Sequence, residues 1–230
     1  MNVRDEMLNM TGVIEEGVLA AGLKQGDKLL DIGCGEGGTL SMLQDRFGLS
    51  VVGVDAHEEM VRRAKNRNEG LDVRQGAAES LEFDSCSFDA ALMECTFSLF
   101  DRQDEAMMEA MRVLKPGGNL ILTDLCRRPQ RLSDNYERED ALFGRGRTGD
   151  IPHVGEFIKA WEEQGFCSIL FMDKTKELDE YFVEKVWEHG SIDAYLDHVT
   201  PEGVGREHVC KFDIAGEKPG YFLMIMEKPE

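Results

Sequence analysis

The chain predicts an α/β fold, an open and mainly parallel sheet with helices on both faces. Short apolar runs of strand length alternate with helix-length amphipathic runs from residue 28 to residue 173. Turns rich in glycine and proline, such as Lys115-Pro116-Gly117-Gly118, punctuate the runs. The length, 230 residues, suits a single domain with a core large enough to stand alone.

Residues 3–21 read as a leading helix, with Met7, Met10, Ile14 and Val18 at helical spacing and Gly22 as the stop. The first strand is 28–32 and its helix about 38–47. Val51-Val52-Gly53-Val54-Asp55 is too short for a helix and gives the second strand, followed by a helix at 57–67. Strands three and four fall near 71–75 and 88–93. The helix at 102–114 has Asp101 as its candidate cap and Met107, Met111 and Leu114 on one face. Lys115–Gly118 ends it, and strand five is 119–124. A helix at 153–164, a strand at 166–173 and a last strand at 220–227 complete the pattern. Two stretches, 125–152 and 174–218, exceed the usual connection length. Ligands in open parallel sheets bind beyond the carboxyl ends of the strands. The first stretch begins at such an end and is expected to act as a lid. The second is expected to be a helical cap within the same 1–230 domain, with Val183, Val186 and Trp187 as one apolar helix face.

Net charge is −19, which repels phosphate backbones and disfavours nucleic acid as the main substrate. No run of 18 apolar residues exists to span a membrane, and the charged Met-Asn-Val-Arg-Asp-Glu start has no apolar signal region after it, so a cytoplasmic location is expected. The six cysteines, 34, 86, 95, 126, 167 and 210, contain no Cys-x-x-Cys pair, and the histidines lack close paired spacing. No metal site is expected.

Leu29-Leu-Asp-Ile-Gly-Cys-Gly-Glu-Gly-Gly38 carries the most information. An apolar strand runs through Asp31 into a turn with glycine at 33, 35, 37 and 38, where a ligand can press against bare backbone. Gly33-x-Gly35-x-x-Gly38 also satisfies a dinucleotide fingerprint. A pyrophosphate, however, needs donors rather than carboxylates. Asp31 and Glu36 suit a cationic ligand with an ammonium and a sulfonium, as in S-adenosylmethionine. Asp55 lies 18 residues after Gly37, the spacing at which a βαβ unit brings a carboxylate to a ribose diol.

At these residues the chain resembles the class I S-adenosylmethionine-dependent methyltransferases, over roughly residues 20–175. Leu29–Gly37 looks like their first motif and Val51–Asp55 like their acidic ribose loop. Gly76–Phe83 looks like the adenine-contacting segment, with Ala77 where aspartate is common. Ser87–Leu92 looks like the fourth strand, and Arg112–Gly118 like the helix-turn before the fifth. The resemblance implies a Rossmann-like sheet of seven strands with the last antiparallel, and S-adenosylmethionine as donor with S-adenosylhomocysteine as product. It implies donor contacts at Asp31, Gly33, Cys34, Gly35, Gly37, Asp55, Ala56, Ala78, Glu79 and Glu94.

Methyl transfer from a sulfonium is an in-line displacement from an already activated leaving group. The protein holds the reactants collinear and excludes water, and it needs a base only if the nucleophile arrives protonated. The acceptor-side candidates therefore follow strands four and five: Glu94 and Cys95, then Cys126, with both thiols expected to face one cleft. The stretch from Met93 to Asp124 is similar to arsenite methyltransferases, where a cysteine at the position of Cys95 binds the metalloid. A thiol pair suits a soft acceptor, but the further cysteine of that family is missing from Gly144–Asp150. Six arginines (127, 128, 131, 138, 145, 147) against five acids make 126–150 a basic island. Arginine clamps carboxylate or phosphate, so Arg127, Arg128 or Arg145 is expected to hold an anionic small molecule. Met7, Met10, Tyr136, Tyr181, Trp187, Tyr195 and the histidines 153, 189, 198 and 208 are further candidates for pocket wall or base. The alternatives are a metalloid or thiol methyltransferase, a donor-binding accessory or sensing domain, and a nicotinamide enzyme.

Overall fold

Each short apolar run forms a strand, and the strands assemble into one seven-stranded sheet. In chain order, the computed structural model contains α1 (Thr11–Ala20), β1 (Lys28–Ile32), α2 (Gly38–Phe47), β2 (Ser50–Asp55), α3 (Glu58–Arg67), β3 (Asp72–Gln75) and β4 (Phe88–Glu94). There follow α4 (Gln103–Val113), β5 (Leu114–Cys126), α5 (Val154–Glu163), β6 (Cys167–Asp173), α6 (Thr175–His189), α7 (Ile192–Val199) and β7 (Gly220–Glu227). The structure describes residues 10–126, 154–200 and 219–230. The strand order is β3-β2-β1-β4-β5-β7-β6. β1 to β5 pair in parallel, while β7 runs antiparallel to both β5 and β6. This is the predicted α/β, Rossmann-like sheet with an antiparallel last strand.

Strand side chains alternate between two faces. On one face Leu29, Leu92, Ile121, Tyr221 and Leu223 pack with Val18 of α1, Leu40 and Leu43 of α2, Ala64 of α3, Leu178 and Tyr181 of α6, and Tyr195 of α7. On the other face Leu30, Met93, Leu122, Phe222 and Met224 pack with Met107 and Ala110 of α4 and with Phe157 and Trp161 of α5. Phe97, Phe157, Trp161 and Phe166 form an aromatic cluster there, with ring centroids 5.0–6.5 Å apart. Each such buried ring stabilises the fold by roughly 1.5–3 kcal/mol.

Several expectations change. The leading helix is described only from Thr11, because Met7 and the rest of 1–9 lie outside the described residues. Asp101 does not cap α4. The helix begins at Gln103, and its start is supported by Asp104 and Glu105 in the first turn, where acids favour the helix dipole. Leu114 leaves that helix to open β5, and the Lys115–Gly118 turn is looped out between the Phe88–Leu114 and Ala90–Asn119 pairs. On α6 the apolar trio faces solvent: Trp187 is 86 % exposed, and Val183 and Val186 are exposed too. The buried line is Leu178, Tyr181 and Lys185, at helical spacing. The Lys185 ammonium reaches Glu188 at 2.7 Å and lies over the Tyr181 ring, so its stem serves as apolar surface. Among the described residues, no helix is long and apolar enough to cross a membrane.

Candidate functional site

β1 lies between β2 and β4, so the chain's turn away from β1 opens a crevice at the carboxyl end of the sheet. The 33–37 loop fills that position. Gly33, Gly35 and Gly37 have φ of 83°, 54° and 74°, a region that side-chain-bearing residues avoid. The amides of Gly33 and Cys34 both donate to the Val54 carbonyl, at 2.7 and 2.9 Å. Gly35 N donates to Asp55 Oδ2 at 2.8 Å and His57 N to Asp55 Oδ1 at 2.9 Å. The loop and the Asp55 carboxylate therefore form one hydrogen-bonded unit.

The glycines do not all serve one purpose. A Cβ on Gly33 would lie 2.8 Å from Thr96 Cγ2, and one on Gly53 would lie 2.6 Å from the Cys34 sulfur. Gly33 is bare to admit Thr96, and Gly53 to admit Cys34. The Cys34 thiol is buried in that contact, so Cys34 shapes the loop rather than offering a polar side chain to a ligand. Asp31 is buried, at the register position between Gly53 and Leu92. Glu36 departs from expectation: it is paired with Arg63 of α3 at 3.1 Å, so its charge is met within the protein. Of the other acids, Asp31 and Asp55 are buried at the ends of β1 and β2, and Glu94 closes β4.

The segment 76–83 lies alongside. Ala56 accepts a hydrogen bond from Gln75 Nε2 at 3.3 Å, Ala77 bridges to Ser80, and Ala78 is buried. Arg102 N donates to Glu79 Oε1 at 3.4 Å. The far end is gripped from α4. Leu81 N donates to Glu109 at 2.7 Å, and Arg112 donates to the carbonyls of Leu81 and Phe83 at 2.8 and 2.6 Å. Arg112 also holds Glu109 through paired bonds, and these hydrogen bonds keep the Glu109 carboxyl below its ordinary pKa against the opposing effect of burial.

At the end of β4, Thr39 of α2 donates to Glu94 Oε2 at 2.6 Å. Cys95 has φ 51°, and its amide donates to the Thr123 carbonyl at 2.8 Å. Its thiol meets the Tyr221 hydroxyl at 3.6 Å. Burial first, then the neighbouring Cys95 and Glu94, push the Tyr221 hydroxyl well above the ordinary tyrosine pKa, with Thr123 opposing. Tyr221 therefore stays protonated.

The structure separates the two candidate thiols. Cys95 packs with the cluster that contains Tyr221, whereas Cys126 is buried with Phe222 and Met224 on the other face. Cys126 pairs with Gly220 and Leu125 with Tyr221, so strand alternation alone puts Cys126 and Tyr221 on opposite sides. The expectation that both thiols face one cleft does not hold, and with it goes the geometric support for a soft-metal pair. Next to Cys126, Asp124 is buried and accepts from Ser98 N and Ser98 Oγ at 2.8 and 2.9 Å.

The six arginines of 126–150, Tyr136, His153 and His208 lie outside the described residues. Tyr181 and Tyr195 are buried and in hydroxyl contact, His189 stacks near His198, and Met10 is buried in the core. Tyr221, Thr39 and Arg112 were not among the candidate site residues. The antiparallel last strand was the available signal for Tyr221, since it returns the start of β7 to the ends of β4 and β5.

A family model described as a methyltransferase domain matches residues 30–122. The chain is similar to 24-methylenesterol C-methyltransferase 2 of Oryza sativa subsp. japonica, 33% identical over 165 residues, covering 68% of this chain and 44% of that protein. It is also similar to phosphoethanolamine N-methyltransferase 3 of Arabidopsis thaliana, 27% identical over 159 residues, covering 67% of this chain and 32% of that protein. The chain thus spans less than half the length of these curated relatives. Among solved structures, Haemonchus contortus phosphoethanolamine N-methyltransferase 2 in complex with S-adenosyl-L-methionine has the same fold, with a TM-score of 0.68, 20% identity, and coverage of 94% of this chain and 53% of that one. With the glycine loop, the acid at the end of β2 and the 3-2-1-4-5-7-6 sheet in place, the chain belongs to the class I S-adenosylmethionine-dependent methyltransferases.

Proposed function

We propose that this protein transfers a methyl group from S-adenosylmethionine to a small-molecule acceptor. One observation carries the reading: the glycine loop is hydrogen-bonded to Asp55, with the buried Asp31 at the end of the neighbouring strand. Those carboxylates fit a ligand that is cationic at one end and a diol in the middle. Asp31 with Gly35 and Gly37 is assigned to the methionine portion, Asp55 and Ala56 to the ribose, and Ala78 and Glu79 to the adenine. Glu94 and Cys95 are assigned to the methyl-transfer face. Gly33 and Cys34 set the loop's shape.

When bound, the donor supplies an electrophilic methyl on a sulfonium. The chain's own contribution is to orient and to exclude water. α6 and α7 support the reading of 174–218 as a cap, because Tyr181 and Tyr195 join the buried cluster that holds Tyr221. An anionic acceptor group is proposed for Arg127, Arg128 or Arg145, since that stretch continues directly from the carboxyl end of β5. The relative named for phosphoethanolamine is consistent with an acceptor of that kind.

Calorimetry with S-adenosylhomocysteine and with NAD tests the donor assignment. Binding of the first and not the second is expected, and tight NAD binding alone would overturn it. Incubation of a metabolite extract with labelled donor, followed by mass spectrometry, then identifies the acceptor. Donor binding with no labelled product across broad acceptor panels would favour a sensing role.

A further inference from the structure

We propose that Arg63 is a positioning residue for the donor: through Glu36 it holds the second half of the glycine loop in the shape that receives the amino-acid portion of S-adenosylmethionine. The proposal rests on the methyl-donor reading and deepens it. The two halves of the loop are held differently. Gly33, Cys34 and Gly35 are tied to the end of β2, where their amides donate to the Val54 carbonyl and to Asp55. Glu36 and Gly37 lie against α3. Gly37, at φ 74°, has no room for a side chain, since a Cβ there would lie 3.0 Å from Leu71 Cδ1 and 3.5 Å from Ala64 Cβ. Beside that contact the Arg63 guanidinium donates to the Glu36 carboxylate at 3.1 Å.

The sequence of α3 prepares the arginine for this role. Val61 and Ala64 are the buried residues of the helix. Glu59 and Arg63 are four residues apart and so share a helix face. Arg63 Nε donates to Glu59 Oε1 at 2.8 Å, while Nη1 reaches Glu36. Glu59 is held in turn by Arg62, at 2.6–2.9 Å. A planar guanidinium can serve two carboxylates at fixed angles, whereas a lysine ammonium of the same charge has no such fork. The series Arg62, Glu59, Arg63 and Glu36 therefore runs from the first turn of α3 into the loop. Glu36 is a buried acid. A buried carboxylate that loses its cation must find water or a new donor. In a loop built on glycines the backbone is what gives way. α3 also follows closely on Asp55 and Ala56, the residues assigned to the ribose. The Arg63–Glu36 pair thus sets the methionine side of the site against the ribose side.

The test uses two ligands that differ in the part assigned to this loop. S-adenosylhomocysteine keeps the amino-acid portion, and 5′-methylthioadenosine has the ribose and adenine without it. Each is titrated into the full chain by calorimetry, the weaker by competition with the stronger. Arg63→Met keeps most of the stem and removes the charge. It should weaken S-adenosylhomocysteine about three- to thirtyfold, the range in which residues that touch no ligand modulate binding, and leave 5′-methylthioadenosine within about twofold. Adding Glu36→Gln to Arg63→Met removes the stranded carboxylate and should recover part of the lost affinity. If Arg63→Met fails to fold, Glu36→Gln alone carries the test, with a smaller loss confined to the same ligand. Unchanged S-adenosylhomocysteine affinity, an equal loss for both ligands, or a double variant no better than Arg63→Met overturns the proposal. A wild type that does not bind S-adenosylhomocysteine overturns the methyl-donor reading itself, so the two failures are distinguishable.

Discussion

The Thr39 hydroxyl donates to the Glu94 carboxylate at 2.6 Å, joining the helix that follows the glycine loop to the last residue of β4. The bond sets the two sides of the crevice relative to each other. Thr39→Val keeps the shape and removes the donor. A hydrogen bond to a charged group contributes about 1.5–3 kcal/mol to stability, so the melting temperature should fall by several degrees, and S-adenosylhomocysteine affinity should fall in calorimetry as Glu94 loses its orientation. Unchanged affinity would detach Glu94 from the donor site.

Gly33→Ala should fail for a reason internal to the fold. The residue has φ 83°, and the added methyl meets the side chain of Thr96, whose hydroxyl is already committed to the Ile32 carbonyl at 3.0 Å. Strain and overpacking together should lower the unfolding free energy by about 2 kcal/mol or more in a urea titration. Pairing it with Thr96→Ser should recover part of the loss, because the clashing methyl is gone.

Asp124 accepts from Ser98 N, Ser98 Oγ and Leu125 N. Asp124→Ala strands all three donors and should cost about 2–4 kcal/mol by denaturant unfolding, against about 1 kcal/mol for Ser98→Ala, which removes only one. Equal losses would mean that the hydroxyl carries the whole clamp.

Acid should weaken the protein partly through Glu109. Arg112's hydrogen bonds lower the folded-state pKa of this carboxyl. A depressed carboxylate contributes stability that is fully present above its unfolded value, about 4.3, and is lost as pH falls through the folded value. Urea midpoints should therefore drop from about pH 4.5 downward. Glu109→Gln should be less stable near neutrality, and its gap to the wild type should close in acid. A gap independent of pH would assign the effect to packing.

The parallel sheet and the glycine loop were legible because both are local. A strand reads as an apolar run, and a loop of this kind needs its glycines in sequence. The α6 face was misread because hydrophobicity alone cannot say which stripe of a helix is buried. Lys185 can turn inward by pairing with Glu188, while Trp187 faces out. Cys95 and Cys126 looked equivalent because each ends a strand, yet one residue of register decides the face. Glu36 looked like a ligand group because its partner, Arg63, belongs to a different element. Tyr221 could be placed only once the position of β7 between β5 and β6 was known.

That position of β7 also dictates an order of assembly. Among the described residues β6 pairs with β7 and with no other strand, and residues 174–219 separate the two in the chain. During synthesis the sheet can grow outward as far as β5 and must then pause. β6 emerges with no edge to join until β7 arrives to be inserted. Through that interval its strand edge and side chains such as Ile169 and Phe171 stand open to wrong partners. Refolding should accordingly show its slow, aggregation-sensitive phase at the β5–β7–β6 end of the molecule, well away from the glycine loop, where parallel pairing of near neighbours is already complete.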